Sequence, residues 1–297
     1  MEVSSNQWRA SLFGLGAVLL WSTVATGFKL GLEIMTTTQL LMLGTWISWM
    51  VFALAAMTSG DLNITRGDRL RVLALGSINP CLYYWILFAA YDRLPAHVAQ
   101  PLNYTWAVTL AILAIPLLGQ HLSKRAFLGI VISYLGVLIL LLSASGGEAH
   151  GDSLNSVGVL LALISTLLWA FYWILNTKCE SSPVALMFWS FSFALPITTG
   201  VCLATDGLPP INGTTLTYGM WVGLVEMGIT FLLWQRALRL AENVARIGQL
   251  IFLSPFLSLV LIHFFLGEEI AMGAIVGLVV IVAGMFLSQG QQPNAAT

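Results

Sequence analysis

Glu226 is the one carboxylate in the otherwise apolar and small-residue stretch GLVEMGITFLLWQRALRL, Gly223 to Leu240. Counted from Thr217, where the apolar run begins, it lies about 13 to 14 Å along a helix rising 1.5 Å per residue. That is close to the middle of a hydrocarbon core roughly 30 Å thick. An ionised acid at that depth costs on the order of 2.5 to 3.5 kcal/mol on insertion scales, so it needs a proton, a cation or a hydrogen-bond donor. Two uses follow. The carboxyl binds a cationic group of a substrate or exchanges a proton for it, or it is internal glue, bonded to Asn79 or to a backbone carbonyl. Helical spacing puts Gly219, Gly223, Thr230 and Trp234 on the same face as Glu226.

Other polar groups recur inside apolar runs. Asn79 and Pro80 interrupt one run, and Pro80 frees a carbonyl that a neighbouring helix or a water-filled cavity must satisfy. Tyr83, four residues after Asn79, is expected on its face. Gln100, Asn103, Tyr104 and Ala107 form a stripe of amides, a phenol and a small side chain, the makings of a pocket wall or of interhelical glue. Gln249 shares a face with Phe256 and with Arg246, whose guanidinium at a helix start suits an interfacial position better than a ligand role. Trp21 and Trp169 lie nearer mid-span than the belt positions where membrane tryptophans usually collect. The candidate substrate-binding set is therefore Glu226, Asn79, Tyr83, Gln100, Asn103, Tyr104, Trp21, Trp169, Thr230 and Gln249. His97 and His263 fall near an interface, and a plain interfacial role is expected of both.

These groups suggest no bond-making chemistry. Gly-x-Gly-Asp, His-Glu-x-x-His and a buried Ser with His are all missing from the sequence, and the adjacent acids Glu268 and Glu269 stand alone. No catalytic residue, metal or cofactor is expected, and the chain is not read as an enzyme. The 12 basic residues are too dispersed for a nucleic-acid stripe. With Cys81 and Cys202 inside apolar runs, the three cysteines offer neither a disulfide framework nor a metal motif. The midspan candidates include no basic residue, which disfavours strongly anionic ligands and favours neutral, zwitterionic or weakly cationic ones, amino acids first.

The solvent that positions these residues is set by composition. At 58% hydrophobic and 8% charged, with mean hydropathy +0.88, the chain is far more apolar than a soluble domain, in which roughly a quarter of residues are charged. The expected fold is all-α and polytopic, with ten transmembrane helices. The runs lie near Ala10–Phe28, Gln39–Thr58, Val72–Tyr91, Ala96–Leu118, Phe127–Ser143, Val157–Asn176, Val184–Ala204, Thr217–Leu238, Ala245–Leu266 and Ala271–Ser288. The first reads as a retained helix rather than a signal peptide. With the N-terminus inside, ten of the 12 basic residues fall on the inner side and only Lys29 and Arg93 outside. Both termini are then cytoplasmic.

The sequence also repeats. An offset of 148 places LLW at Leu19–Trp21 on LLW at Leu167–Trp169, LGQHL at Leu118–Leu122 on LGEEI at Leu266–Ile270, and Gly129 and Gly136 on Gly277 and Gly284. An offset of 147 places Asn79 on Glu226. Five spans per half, an odd number, make the second half enter the membrane from the opposite side, as in secondary transporters. Residues 1–148 and 149–297 are read as two inverted five-helix repeats of one intertwined domain.

The segment LSPFLSLVLIHFFLGEEI (Leu253–Ile270), preceded by ALRL (Ala237–Leu240), resembles the closing part of the repeat in the EamA family of the drug/metabolite transporter superfamily. The first half echoes it with RLPA (Arg93–Ala96), LNYTW (Leu102–Trp106) and LGQHLS (Leu118–Ser123). It departs from the family at Gln120, where an acid is usual, and at Ala107, where Pro is common. Glu268 keeps the acid, and a loop-capping role is expected for it. The resemblance implies export or exchange of small organic metabolites across the cytoplasmic membrane by alternating access. A small-molecule substrate, the lipid bilayer, protons as a coupling ion and a second copy of the chain are the expected partners; the alternative is a non-transporting membrane scaffold or sensor. A reporter fused after Gly290 should be cytoplasmic, and an extracellular signal would overturn both the topology and the inverted halves.

Overall fold

A computed structural model describes residues 5–60, 62–119, 123–145, 154–242 and 244–288. The expected boundary at 148/149, Gln120, the side chain of Arg246 and both chain ends lie outside them. The described residues form helices and connections, with no strand among them. Among the described residues, nine helices are long and apolar enough to cross a membrane: α1 Asn6–Leu32, α2 Thr37–Ser59, α3 Arg66–Arg93, α4 Ala96–Leu118, α5 Lys124–Ala144, α6 Ser156–Thr177, α7 Pro183–Thr205, α8 Gly213–Leu240 and α9 Ile247–Leu266. A shorter apolar helix, α10, runs Met272–Ser288.

Local chemistry sets the ends. Thr36 and Gln39 form a capping box at the start of α2, Ser182 caps α7 with Pro183 in the first turn, and Asn212 and Thr215 form a second box at α8. Gly119 and Gly267 end α4 and α9 in the left-handed region, φ 66° in both, where a side chain would be strained. They are the glycines of the LGQHL and LGEEI segments.

Two kinds of helix result. α2, α5, α6, α7 and α10 are uninterrupted. α3 breaks midway, at Asn79 (φ −125°, ψ 113°) before Pro80, and α8 widens over Trp221–Glu226 before the irregular Gly228 (φ −109°, ψ −94°). α1 pauses at Thr23, α4 at Thr105, and α9 tightens over Leu250–Leu253.

Packing pairs the halves. α1 lies against α8 and α9, and α6 lies against α3 and α4. α2 and α7 run antiparallel, joined by Trp46 Nε1 to Thr199 (3.0 Å), Trp49 Nε1 to Ser192 (2.8 Å) and Phe52 on Phe191. α5 and α10 are also antiparallel. A Cβ at Gly284 would lie 2.5 Å from the Gly129 carbonyl oxygen, and one at Gly136 would lie 2.8 Å from that of Gly277. Small residues thus let the two backbones touch, and Ser133 donates across the seam to the Ile281 carbonyl (3.1 Å). The four glycines that recur between the two halves are thus filled by a contact inside one chain.

Carboxylates tie the helix ends. Asp68 accepts from the backbone N–H groups of Glu180 (2.9 Å) and Ser181 (2.8 Å), and Arg71 pairs with its other oxygen at 3.0 Å. Asp206 accepts from the Thr38 hydroxyl at the start of α2. Glu268 accepts from the N–H groups of Ala96 (2.8 Å) and His97 (3.0 Å) and meets His97 Nδ1 at 2.6 Å, so it caps α4 from the opposite half of the chain. Burial raises the Glu268 carboxyl pKa, but the His97 side chain and the two N–H groups outweigh it and hold it below the ordinary glutamate value.

Gly284→Ala should lower stability by about 1–3 kcal/mol through the backbone clash, whereas Gly200→Ala, with open space at its Cβ, should hold or raise it; thermal unfolding of the purified protein in detergent reads both. The Glu268 contribution is complete above the ordinary glutamate pKa of about 4.3 and is lost as pH falls through the lower folded value. Melting temperature should accordingly fall more steeply below about pH 4.3 in the wild type than in Glu268→Gln, which starts lower.

Candidate functional site

The interrupted helices meet around one cavity of about 210 Å³. Its wall takes Trp21, Val24, Ala25 and Phe28 from α1, Leu87 and Tyr91 from α3, Gln100, Asn103, Tyr104, Trp106 and Ala107 from α4, Trp169 and Trp173 from α6, Glu226 and Trp234 from α8, and Gly248 and Ile251 from α9. Five of these six helices, all but the continuous α6, have a physical reason to surround it. Mid-helix breaks leave backbone groups that cannot face hydrocarbon, and they are tolerated where protein or a cavity meets them.

Glu226 lies midway along α8 and is 8% exposed. The fully buried Tyr84 hydroxyl donates to its Oε1 at 2.9 Å. Its Oε2 is buried with no hydrogen-bond partner. Two further polar atoms on cavity-lining residues share that condition: the Gln100 amide oxygen and the Trp173 indole nitrogen. The wall thus presents two bare acceptors and one bare donor. Since buried polar groups are ordinarily satisfied, each of the three calls for an explanation. Among the described residues of the lining, Glu226 is the one acid, and none is Lys or Arg.

Aromatic rings hold these groups in place. Trp169 stacks on Tyr83 (centroids 4.4 Å apart) and Tyr172 (5.2 Å) and meets Trp173 edge-on at 6.0 Å. Trp21 packs on Trp234 (5.4 Å) and Phe231 (5.8 Å) on the opposite wall. Phe28 contacts Tyr91 at 5.4 Å. The Asn103 amide is already spent, accepting from the Tyr83 hydroxyl (3.3 Å) and donating to Ser165 (3.0 Å), so it locks α3, α4 and α6 together.

Of the candidate residues, Glu226, Gln100, Asn103, Tyr104, Trp21 and Trp169 line the cavity. Tyr83 stands behind it, bonded to Asn103 and stacked on Trp169. Asn79 is buried outside the lining and is not the partner of Glu226. Thr230 is fully buried and turns its hydroxyl back to the Val225 carbonyl, closing the irregular turn rather than facing the cavity. Gln249 is exposed, and its neighbours Gly248 and Ile251 take the cavity face instead. These departures share a cause: the 3.6-residue phase does not carry through the breaks at Asn79, at Trp221–Gly228 and at Leu250–Leu253. For the same reason Tyr84, the actual partner of the carboxyl, escapes a face count started at Asn79. Phe28 and Tyr91 escape it because an apolar or phenolic ring on a hydrophobic helix carries no polar signal.

Comparison with known proteins agrees with this architecture. The model of the EamA-like transporter family matches twice, over residues 8–142 and 156–289. An uncharacterized transporter of Clostridium kluyveri is 26% identical over 77% of this chain and 75% of that protein. The aromatic amino acid exporter YddG of Ancylobacter novellus is 22% identical, covering 85% of this chain and 87% of its own. One solved crystal structure superposes with a TM-score of 0.66 at 21% identity, over 95% of this chain and 98% of that one, a likeness of fold. With nine apolar helices of spanning length and two matches that together cover nearly all of its residues, the chain belongs to the EamA-like transporter family and is a multi-pass membrane protein.

Proposed function

We propose that this transporter moves a small zwitterionic metabolite, an amino acid with an apolar or aromatic side chain, by efflux or exchange through alternating access. The observation that carries the reading is Glu226, one oxygen held by Tyr84 and the other without a partner, in an aromatic cavity whose described lining residues include no Lys or Arg. In this reading the substrate ammonium donates to Glu226 Oε2 and Gln100 Oε1 while its carboxylate accepts from the Trp173 indole. The ring faces of Trp21, Trp169 and Trp234 take the side chain and attract the cation. A volume of about 210 Å³ is below the roughly 300–1,000 Å³ of pockets for drug-sized ligands, which suits a metabolite of amino-acid size. The aromatic amino acid exporter among the relatives points the same way.

The scaffold in this proposal is ten transmembrane helices in two inverted repeats, 1–148 and 149–297, with both termini cytoplasmic in the cell membrane. The double family match supports the repeat. The antiparallel course of α2 with α7 and of α5 with α10 supports the inversion, since equivalent helices of a non-inverted pair would run parallel. Glu226 also has the chemistry to trade a proton for the ammonium, making protons a candidate coupling ion. A second copy of the chain remains a candidate partner through the lipid-facing sides of the bundle.

Flux of labelled amino acids in proteoliposomes tests this. Glu226→Gln keeps the shape and the Tyr84 contact but removes the charge, and should weaken apparent substrate affinity about 10- to 100-fold, as expected for a hydrogen bond to a charged group worth roughly 1.5–3 kcal/mol. Trp173→Phe should raise the KM for the amino acid about tenfold or more, as for a hydrogen bond to a charged carboxylate, and leave that for its decarboxylated amine unchanged. Wild-type flux from Glu226→Gln across pH 5 to 8 would reduce the carboxyl to internal glue. Absence of saturable flux for every substrate class would favour the scaffold or sensor.

A further inference from the structure

A second cavity, of about 130 Å³, lies apart from the central one where α8 ends and α7 begins. Its polar groups are Gln235, Arg236 and Arg239 in the last turns of α8, and its apolar wall includes Phe52 of α2 and Val184 and Met187 of α7. Both arginines are exposed, and none of the ion pairs among the described residues, Arg71 with Asp68, Arg93 with Asp92 and His97 with Glu268, involves either. Two guanidinium forks three residues apart share one helix face, and forked donors of this kind match the oxygens of a phosphate. A topological bias of basic residues toward one membrane face accounts for the charges. It gives no reason for them to border a cavity with apolar walls.

We propose that this cavity binds an anionic phospholipid, its phosphate held by Arg236 and Arg239 and the start of its acyl chain laid against Phe52, Val184 and Met187. The position fits a lipid rather than a soluble phosphate. The cavity sits between helix ends at the rim of an apolar bundle, where headgroups lie, and basic pockets between membrane helices recognise such headgroups. This site is independent of the substrate reading of the central cavity, shares none of its lining residues, and holds whether or not amino acids are transported.

The test is native mass spectrometry of the purified, delipidated full chain with added phosphatidylglycerol or phosphatidylcholine. One phosphatidylglycerol per chain should be retained in preference to phosphatidylcholine and should survive excess glycerol 3-phosphate. Arg236→Gln with Arg239→Gln should weaken retention about tenfold or more, given about 1 kcal/mol for each basic residue. Should that double variant fail to fold, Val184→Phe, which narrows the apolar wall and keeps both arginines, should lower phosphatidylglycerol retention. Equal retention by the double variant, no preference over phosphatidylcholine, or displacement by glycerol 3-phosphate would each overturn the lipid site, the last in favour of a soluble phosphate.

Discussion

The rest of the architecture depends on one constraint: a backbone N–H or carbonyl in hydrocarbon must have a partner, because no water is there to supply one. It sorts the helices. Of those with unbroken backbone bonding, α2, α5, α7 and α10 contribute nothing to the cavity wall, and α6 alone lines it. The other five helices that meet the cavity each carry an interruption. Irregular backbone is thus gathered in the helices around the cavity.

The same economy governs side chains. Most hydroxyls bond back to carbonyls one turn earlier, as in Thr45 to Leu41 (2.7 Å) and Ser165 to Ala162 (2.6 Å), and so pass through the bundle without needing a distant partner. Asn103 and Ser133 bridge helices instead. Among the buried polar atoms without a partner, which include those of Thr26, Asn79, Ser254 and Ser258, the oxygens of Glu226 and Gln100 and the indole nitrogen of Trp173 belong to residues that line the cavity. Tyr84 matters because it holds one oxygen of the carboxyl and leaves the other without a partner.

How legible all this was in the sequence depended on range. Nine of the ten expected spans were legible, the tenth being the shorter Met272–Ser288, because hydropathy is summed over about 20 residues and tolerates local irregularity. The four glycines Gly129, Gly136, Gly277 and Gly284 were legible as sites of close helix contact because only small residues permit that approach, but which helix would fill them was not. Glu268 as a cap was legible because an acid just past Gly267 can reach an adjacent helix start. Side-chain direction past a break was not. From Asn79 onward a face count needs the local φ and ψ, which no periodicity supplies, so Asn79, Thr230 and Gln249 were given to the cavity while Phe28 and Tyr91, which line it, were not.

The order in which the helices leave the ribosome gives the seam a further meaning. α5 exposes its glycine groove when it enters the membrane, and the surface that fills it, α10, is the last helix in the chain order. α1 must likewise wait for α8 and α9, and α2 for α7. The first half therefore has no finished partner surface of its own during synthesis, and its helices must persist side by side in lipid until the second half arrives. Once α10 has been made, Gly277 and Gly284 can be set against Gly136 and Gly129, and the seam closes.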